Sequence, residues 1–328
     1  MQAAESPPVL VARLLTSAGV PGTLPVAGHS SVVAPAERRA LRIAGLTLAV
    51  ESASPDLRLD VPGPAHAFLA DAADAADLLL RAERRPLDAE APGALVFDSG
   101  GAWRMYDLDG SHLYRFFDTR RPGAPYKEVR IAPGAAKGSL LLNSAFYGPG
   151  EPVDALQFPL DELLFLRLLS VHGGVELHAC GVVGPDGRGH LFAGQSGDGK
   201  TTTARLWQAR GCAVLSDDRI VLRRDGDGSW WMHGTPWHGE AELAANARAP
   251  LAGLYLLGRG GRNELQALTP AQAVAGLFAR SFLAFHDASI VTRALGEIES
   301  LIERHPCFRF RFVPGEEAVR FVLERAAP

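Results

Sequence analysis

Lysine is nearly missing from this sequence. Lys127, Lys137 and Lys200 stand among 33 basic residues, and arginine supplies all the others. A lysine kept in such a chain asks for a reason, because its compact ammonium is a different tool from the planar guanidinium fork. Cysteine is as scarce. Cys180, Cys212 and Cys307 lie far apart with no CxxC spacing. That argues against a disulfide framework or a cysteine-rich zinc site, and it fits a reducing, cytoplasmic setting. No apolar run reaches the roughly 18 residues needed to cross a bilayer. The opening MQAAESPPVLVARLL lacks a basic leader, and Arg13 interrupts its apolar run; neither a signal peptide nor a membrane partner is expected. The formal net charge of −4 provides no global pull towards nucleic acid.

What is present is ordinary in bulk: 328 residues, 47% apolar and 21% charged, enough for two domains with sizeable cores. We expect a β-rich, mostly antiparallel N-terminal domain over 1–150, with its alanine- and proline-rich first 40 residues a candidate for disorder. Residues 151–328 follow as an α/β domain with a mixed sheet. In the first half, RIAGLTLAV, GALVF, WRMYDL, HLYRFF, YKEVRIA and SLLLNSAF alternate with turn-forming SGG, DLDG, RRPGAP and PGAAKG, the pattern of a meander. One helix is expected over about 70–83. YGPGEP at 147–152 marks the boundary, and a helix is expected over about 160–171.

In the second half, ELHACGVV and HLFAG flank PDGRG and read as a hairpin. HLFAG feeds GQSGDGKTTT, and TTTARLWQAR continues as a helix closed near Gly211. Then CAVLSDDR reads as a buried strand ending in two aspartates. A second hairpin (IVLRR, DGDG, SWWMHG), the strand PLAGLYLLG, a helix opened by TPAQ, a helix at 296–304, the strand CFRFRFV and a helix from Glu316 complete the chain.

Gly194, Gly199, Lys200 and Thr201 fit G-x4-G-K-[ST] between a strand and a helix. Glycines let successive N–H groups converge, and a helix N-terminus adds partial positive charge. The lysine of such a loop reaches phosphate oxygens, and the threonine hydroxyl can join a Mg²⁺ shell. The expected cradle comprises Gly194, Gln195, Ser196, Gly197, Asp198, Gly199, Lys200, Thr201 and Thr202, with ATP and Mg²⁺ as cofactors. An aspartate at a strand end beside such a loop can hold the metal or accept a proton, and Asp217 and Asp218 can divide those roles.

Together GQSGDGKT, ELHACGVV and LSDDR resemble HPr kinase/phosphorylase and its related kinases, which share a nucleotide-binding fold with ATP-dependent phosphoenolpyruvate carboxykinase. The resemblance covers about residues 170–225 and extends more loosely to about 260. It implies a kinase domain of that type in which Lys200 binds phosphates, Thr201 and Asp218 hold Mg²⁺, Asp217 is the catalytic base and His178 lines the phosphate site. The sequence departs from the family at His178-Ala179, where the family has His-Gly. It also lacks the family's later glycine-rich segment and its N-terminal domain, so HPr itself is not the expected substrate.

Glu240, in MHGTPWHGE, is the best further acid for a metal; His233 and His238 accompany it without HExxH or cysteine partners. Trp230, Trp231 and Trp237 read as hairpin core or as base-stacking rings, and Arg280 as a helix-face residue or a phosphate contact. The leading expectation is transfer of a γ-phosphoryl group to a hydroxyl, preferably serine, of a peptide, protein or small molecule. The alternatives are a nucleotide-binding regulatory protein and an NTPase without an acceptor. A homo-oligomer is compatible with either.

Overall fold

The computed structural model describes residues 37–90, 92–120, 123–283 and 287–326. The expectation of disorder in the first 40 residues lies almost wholly outside them. In the first half the strands are β1 (Arg38–Ile43), β2 (Leu46–Ser52), β3 (Arg58–Asp60), β4 (Leu78–Arg85), β5 (Ala94–Asp98), β6 (Trp103–Leu108), β7 (Ser111–Phe116), β8 (Lys127–Ile131), β9 (Lys137–Asn143) and β10 (Pro152–Asp154). Eight of them form one sheet in the order β1-β2-β4-β9-β8-β7-β6-β5. From β9 to β5 it is the antiparallel meander read from the turns. At its centre, β4 pairs in parallel with both β2 and β9, so this sheet too is mixed.

That pairing corrects the helix expected over 70–83: residues 78–85 are a central strand. The alanines and leucines there favour a helix locally, but burial alternates. Leu78, Leu80 and Ala82 are fully buried while Arg81 and Glu83 are exposed. Hydrogen-bonding partners on both edges outweigh a weak intrinsic propensity.

The second half begins with α1 (Leu160–His172), which packs on the core of the first sheet with Leu160, Leu164 and Phe165 buried there. It continues with β11 (Val175–Val183), β12 (Gly189–Ala193), α2 (Lys200–Gln208), β13 (Ala213–Ser216), β14 (Arg219–Arg224), β15 (Trp230–His233) and β16 (Arg248–Arg259). After these come β17 (Glu264–Ala267), α3 (Pro270–Phe278), β18 (Ser281–Phe282), α4 (Ala288–Arg304), β19 (Cys307–Phe312) and α5 (Glu316–Ala326). The sheet runs β12-β11-β14-β15-β16-β19-β17, and β16 is also parallel to β12. The predicted capping box opens α3, with Thr269 and Gln272 bonded reciprocally.

One feature of this sheet creates the site. Strand β11 changes partners midway. Val175–His178 pair with β14, whereas Ala179–Val183 pair with β12 and, from Gly181, with β13. At the fork its main chain bonds three other segments. The His178 N–H donates to the Arg280 carbonyl, the Ala179 N–H to the Asp218 carbonyl, and the His178 carbonyl accepts from the Gly194 N–H. A forked sheet thus gathers the glycine loop, the aspartate bend and the end of α3 at one point.

Among the described residues, no helix is long and apolar enough to cross a membrane.

Candidate active site

The glycine loop leaves β12 at Ala193 and enters α2 at Lys200. Gly199 caps the helix with φ +106°, and Gly197 has φ +81°, a region that side chains with a Cβ rarely occupy. A Cβ on Gly199 would come within 3.0 Å of the Phe312 ring, and one on Gly194 within 2.9 Å of Asp198 Cβ. The spacing favours glycine at 194, and the positive φ together with the tight ring contact favours it at 199. The loop is braced from within and without. The Asp198 carboxylate accepts from the Gln195 N–H at 2.7 Å and lies 3.7 Å from Arg280, while Arg259 donates to the Gly197 carbonyl at 3.2 Å.

Lys200 is buried and reaches back over the loop. Its Nζ donates to the Gly194 and Gln195 carbonyls at 3.1 and 3.2 Å and lies 3.8 Å from Asp218 Oδ1. Burial pushes its pKa below the usual lysine value, against the opposing pull of Asp218 and Asp198. The ammonium thus sits desolvated against two loop carbonyls and one carboxylate, where an anion in the loop would add a charge-assisted contact. Thr201 and Thr202 follow in the first turn of α2, half-buried, while Thr203 turns inward to bond the Gly199 carbonyl.

The two aspartates part company. They occupy a bend between β13 and β14 rather than one extended strand, and the buried Ser216 hydroxyl accepts from the N–H groups of Asp218 and Arg219 to shape it. Asp217 is fully buried. Its Oδ1 accepts from the Gly239 N–H at 2.9 Å and the Leu243 N–H at 3.4 Å, and its Oδ2 from the Ala241 N–H at 2.9 Å. It therefore ties down the loop 239–243. Asp218 faces the cradle. His178 Nε2 lies 2.9 Å from Asp218 Oδ1, Arg219 donates to Oδ2, and Lys200 stands beyond. Burial raises the Asp218 pKa, but the His178 hydrogen bond and the charges of Arg219, His178 and Lys200 outweigh it and hold the carboxyl below its ordinary value. With an ionised acceptor there, the proton of the His178–Asp218 contact belongs on Nε2.

Arg219 is the residue whose role the sequence did not disclose. It pairs with Asp218 on one side and with Glu162 of α1 on the other, and stacks at 4.5 Å over the Phe282 ring. Its register opposite His178 puts both side chains on one face of the sheet. Alternation along β14 could have suggested that facing. Glu162 lies 57 positions earlier, and nothing in the sequence links the two. Glu176 lies 3.9 Å from Arg219 and beside Glu162. Burial, then the Glu162 charge, push its pKa well above the usual glutamate value.

The remaining candidates disperse. Glu240 is exposed on the loop held by Asp217, with its carbonyl accepting from Arg205. His233 is buried in β15, and burial depresses its pKa to about 4. His238 Nδ1 lies 3.0 Å from the carbonyl of Gly239. Among the described residues, no three His, Cys, Asp or Glu side chains are gathered as for a metal ion. Trp230 is core, and Trp237 is buried with its indole N–H donating to Asp161. Arg280 is brought to the glycine loop rather than left on a solvated helix face.

No protein-family model and no curated protein matches this chain. Among solved structures it is similar to the HPr(Ser) kinase/phosphatase from Coxiella burnetii, at 14% identity and a TM-score of 0.26, over 46% of this chain and 91% of that one.

Proposed function

We propose that the chain is an ATP- and Mg²⁺-dependent phosphotransferase that moves a γ-phosphoryl group to a hydroxyl of a peptide, protein or small molecule. The observation that carries this reading is the pairing of a glycine cradle and its lysine with one ionised carboxylate, Asp218, 3.8 Å from Lys200 Nζ and fixed by His178 and Arg219. A carboxylate aimed at the phosphate site can serve the metal in any nucleotide-binding protein; held between His178 and Arg219, it is also placed to take a proton. A kinase needs one to receive the acceptor's proton.

The residues present fit the phosphates. A tight glycine turn, a helix N-terminus and a buried lysine at the loop all favour an anion. Lys200 would bind β/γ-oxygens, and the loop amides would hold the rest. Mg²⁺, when bound, neutralises charge on the transferring group; Thr201 would hold it with the phosphates and water, since an ion this small keeps several waters. Asp218 is assigned as the base in place of Asp217, because Asp217 is closed off from solvent under its loop whereas Asp218 is partly exposed beside Lys200. His178 orients Asp218 through Nε2–H, and Arg219 fixes the second oxygen. Transfer would then be positioning plus charge stabilisation, with the acceptor O–H proton passing to Asp218 as the oxygen bonds to phosphorus and the β–γ bridging bond breaks.

To test this, the protein is incubated with γ-labelled ATP, Mg²⁺ and a pool of serine-, threonine- and tyrosine-containing peptides. Label is expected in a peptide hydroxyl. Label released only as inorganic phosphate would favour the NTPase reading instead.

A further inference from the structure

Beside the charged cluster lies a cleft of about 350 Å³ between α1 and α4, floored by β11 and β18. Leu166 and Leu169 form one wall, Ile290 and Ala294 the other, and Phe282 closes the end towards the active site. The Phe282 ring lies 5.8 Å from the His178 ring, with the Arg219 guanidinium over it at 4.5 Å. One aromatic ring therefore separates the cleft from the groups that hold Asp218.

Three charged side chains line the cleft, and each is engaged elsewhere: Arg293 turns along its own helix, with Nη2 donating to the Ser289 hydroxyl at 3.3 Å. Glu176 contributes to its floor but is closed off from solvent, with its carboxyl 3.9 Å from the Arg219 guanidinium. Glu297 is occupied with Arg224 at 2.9 and 3.0 Å. What is left is an apolar slot with an aromatic end wall. Its volume of about 350 Å³ is about twice the ~150 Å³ that holds benzene in a dry engineered cavity, room for a one- or two-ring group and its attachment.

We propose that this cleft binds an aromatic side chain of the phosphoryl acceptor, packed against Phe282, and so selects acceptors that carry an aromatic residue near the hydroxyl. The assignment to the acceptor rests on the phosphotransferase reading; the binding of a ring does not. An aromatic guest buries the most apolar area for its conformational cost and stacks in offset or edge-on geometry on Phe282.

The probe is indole, with cyclohexanol as an aliphatic control, titrated by calorimetry and by NMR of the His178 and Phe282 resonances. Indole is expected to bind saturably, to shift both residues and to bind at least fivefold tighter than cyclohexanol. Gly296→Trp is the blocking variant. Gly296 lines the cleft on α4, and a Cβ there meets nothing within 4 Å, so the fold is spared while a large ring covers the opening. It should weaken indole at least tenfold and leave MgATP affinity within twofold. Ala294→Phe, filling the wall, should do the same, with retained MgATP binding as proof of folding. Non-saturable indole binding, equal affinity in Gly296→Trp, or preference for cyclohexanol would overturn the proposal. Indole binding in a protein that binds no MgATP would leave the ring site standing and overturn the phosphotransferase reading.

Discussion

Asp218→Asn is expected to reduce phosphoryl transfer by roughly 10²–10⁴-fold, the range for a lost general base, without weakening MgATP. The amide keeps the size of the carboxylate and removes its ability to take a proton. It also removes the negative charge that faces Lys200, Arg219 and His178, so an incoming polyphosphate meets more uncompensated positive charge than before. Single-turnover transfer and equilibrium nucleotide binding, measured on the same preparation, separate the effects. Transfer at the wild-type rate would remove Asp218 from the chemistry.

Asp217→Asn should behave in the opposite way and lose stability. The carboxylate accepts from the N–H groups of Gly239, Ala241 and Leu243 with no exposure to water. An amide has one acceptor oxygen and must turn its NH₂ towards at least one of these donors. An unsatisfied buried donor costs about 1–3 kcal/mol, and a second, clashing contact adds to that. A lower denaturation midpoint with an unchanged denaturant slope is the expected signature. A fully stable variant with abolished transfer would return the role of base to Asp217.

The contrast between these neighbours marks the limit of the sequence. The glycine loop was legible because its physics is local: a strand, a turn that needs positive φ, and a helix start within a dozen residues. The meander was legible from turn chemistry, and the hairpin of β11 and β12 from its PDGRG turn. The helix expected over 70–83 failed because β4 owes its conformation to β2 and β9, strands that reach it from either side. The separate placements of Asp217 and Asp218 were hidden for a related reason. Alternation along a strand assumes a straight strand, but Ser216 bends the chain there, and the donors that claim Asp217 come from a loop more than 20 positions away. The Glu162–Arg219 pair and the fork in β11 are likewise tertiary, set by how α1 and β14 meet one sheet face. The scarcity of lysine did point to Lys200, although Lys127 is also buried, with burial lowering its pKa to about 8; rarity marked a buried ammonium in the first sheet as well as the one in the loop.

The central claim is that residues 194–200 cradle polyphosphate through Lys200. The most direct test is a calorimetric titration of MgATP into the wild-type protein and into Lys200→Ala, with no acceptor required. A charge-assisted hydrogen bond is worth about 1.5–3 kcal/mol. The wild type should therefore bind saturably and the variant roughly 10–100-fold more weakly, with both unfolding at the same denaturant concentration to within a small shift. Equal affinity in the two proteins, or no MgATP binding by the wild type, would contradict the account.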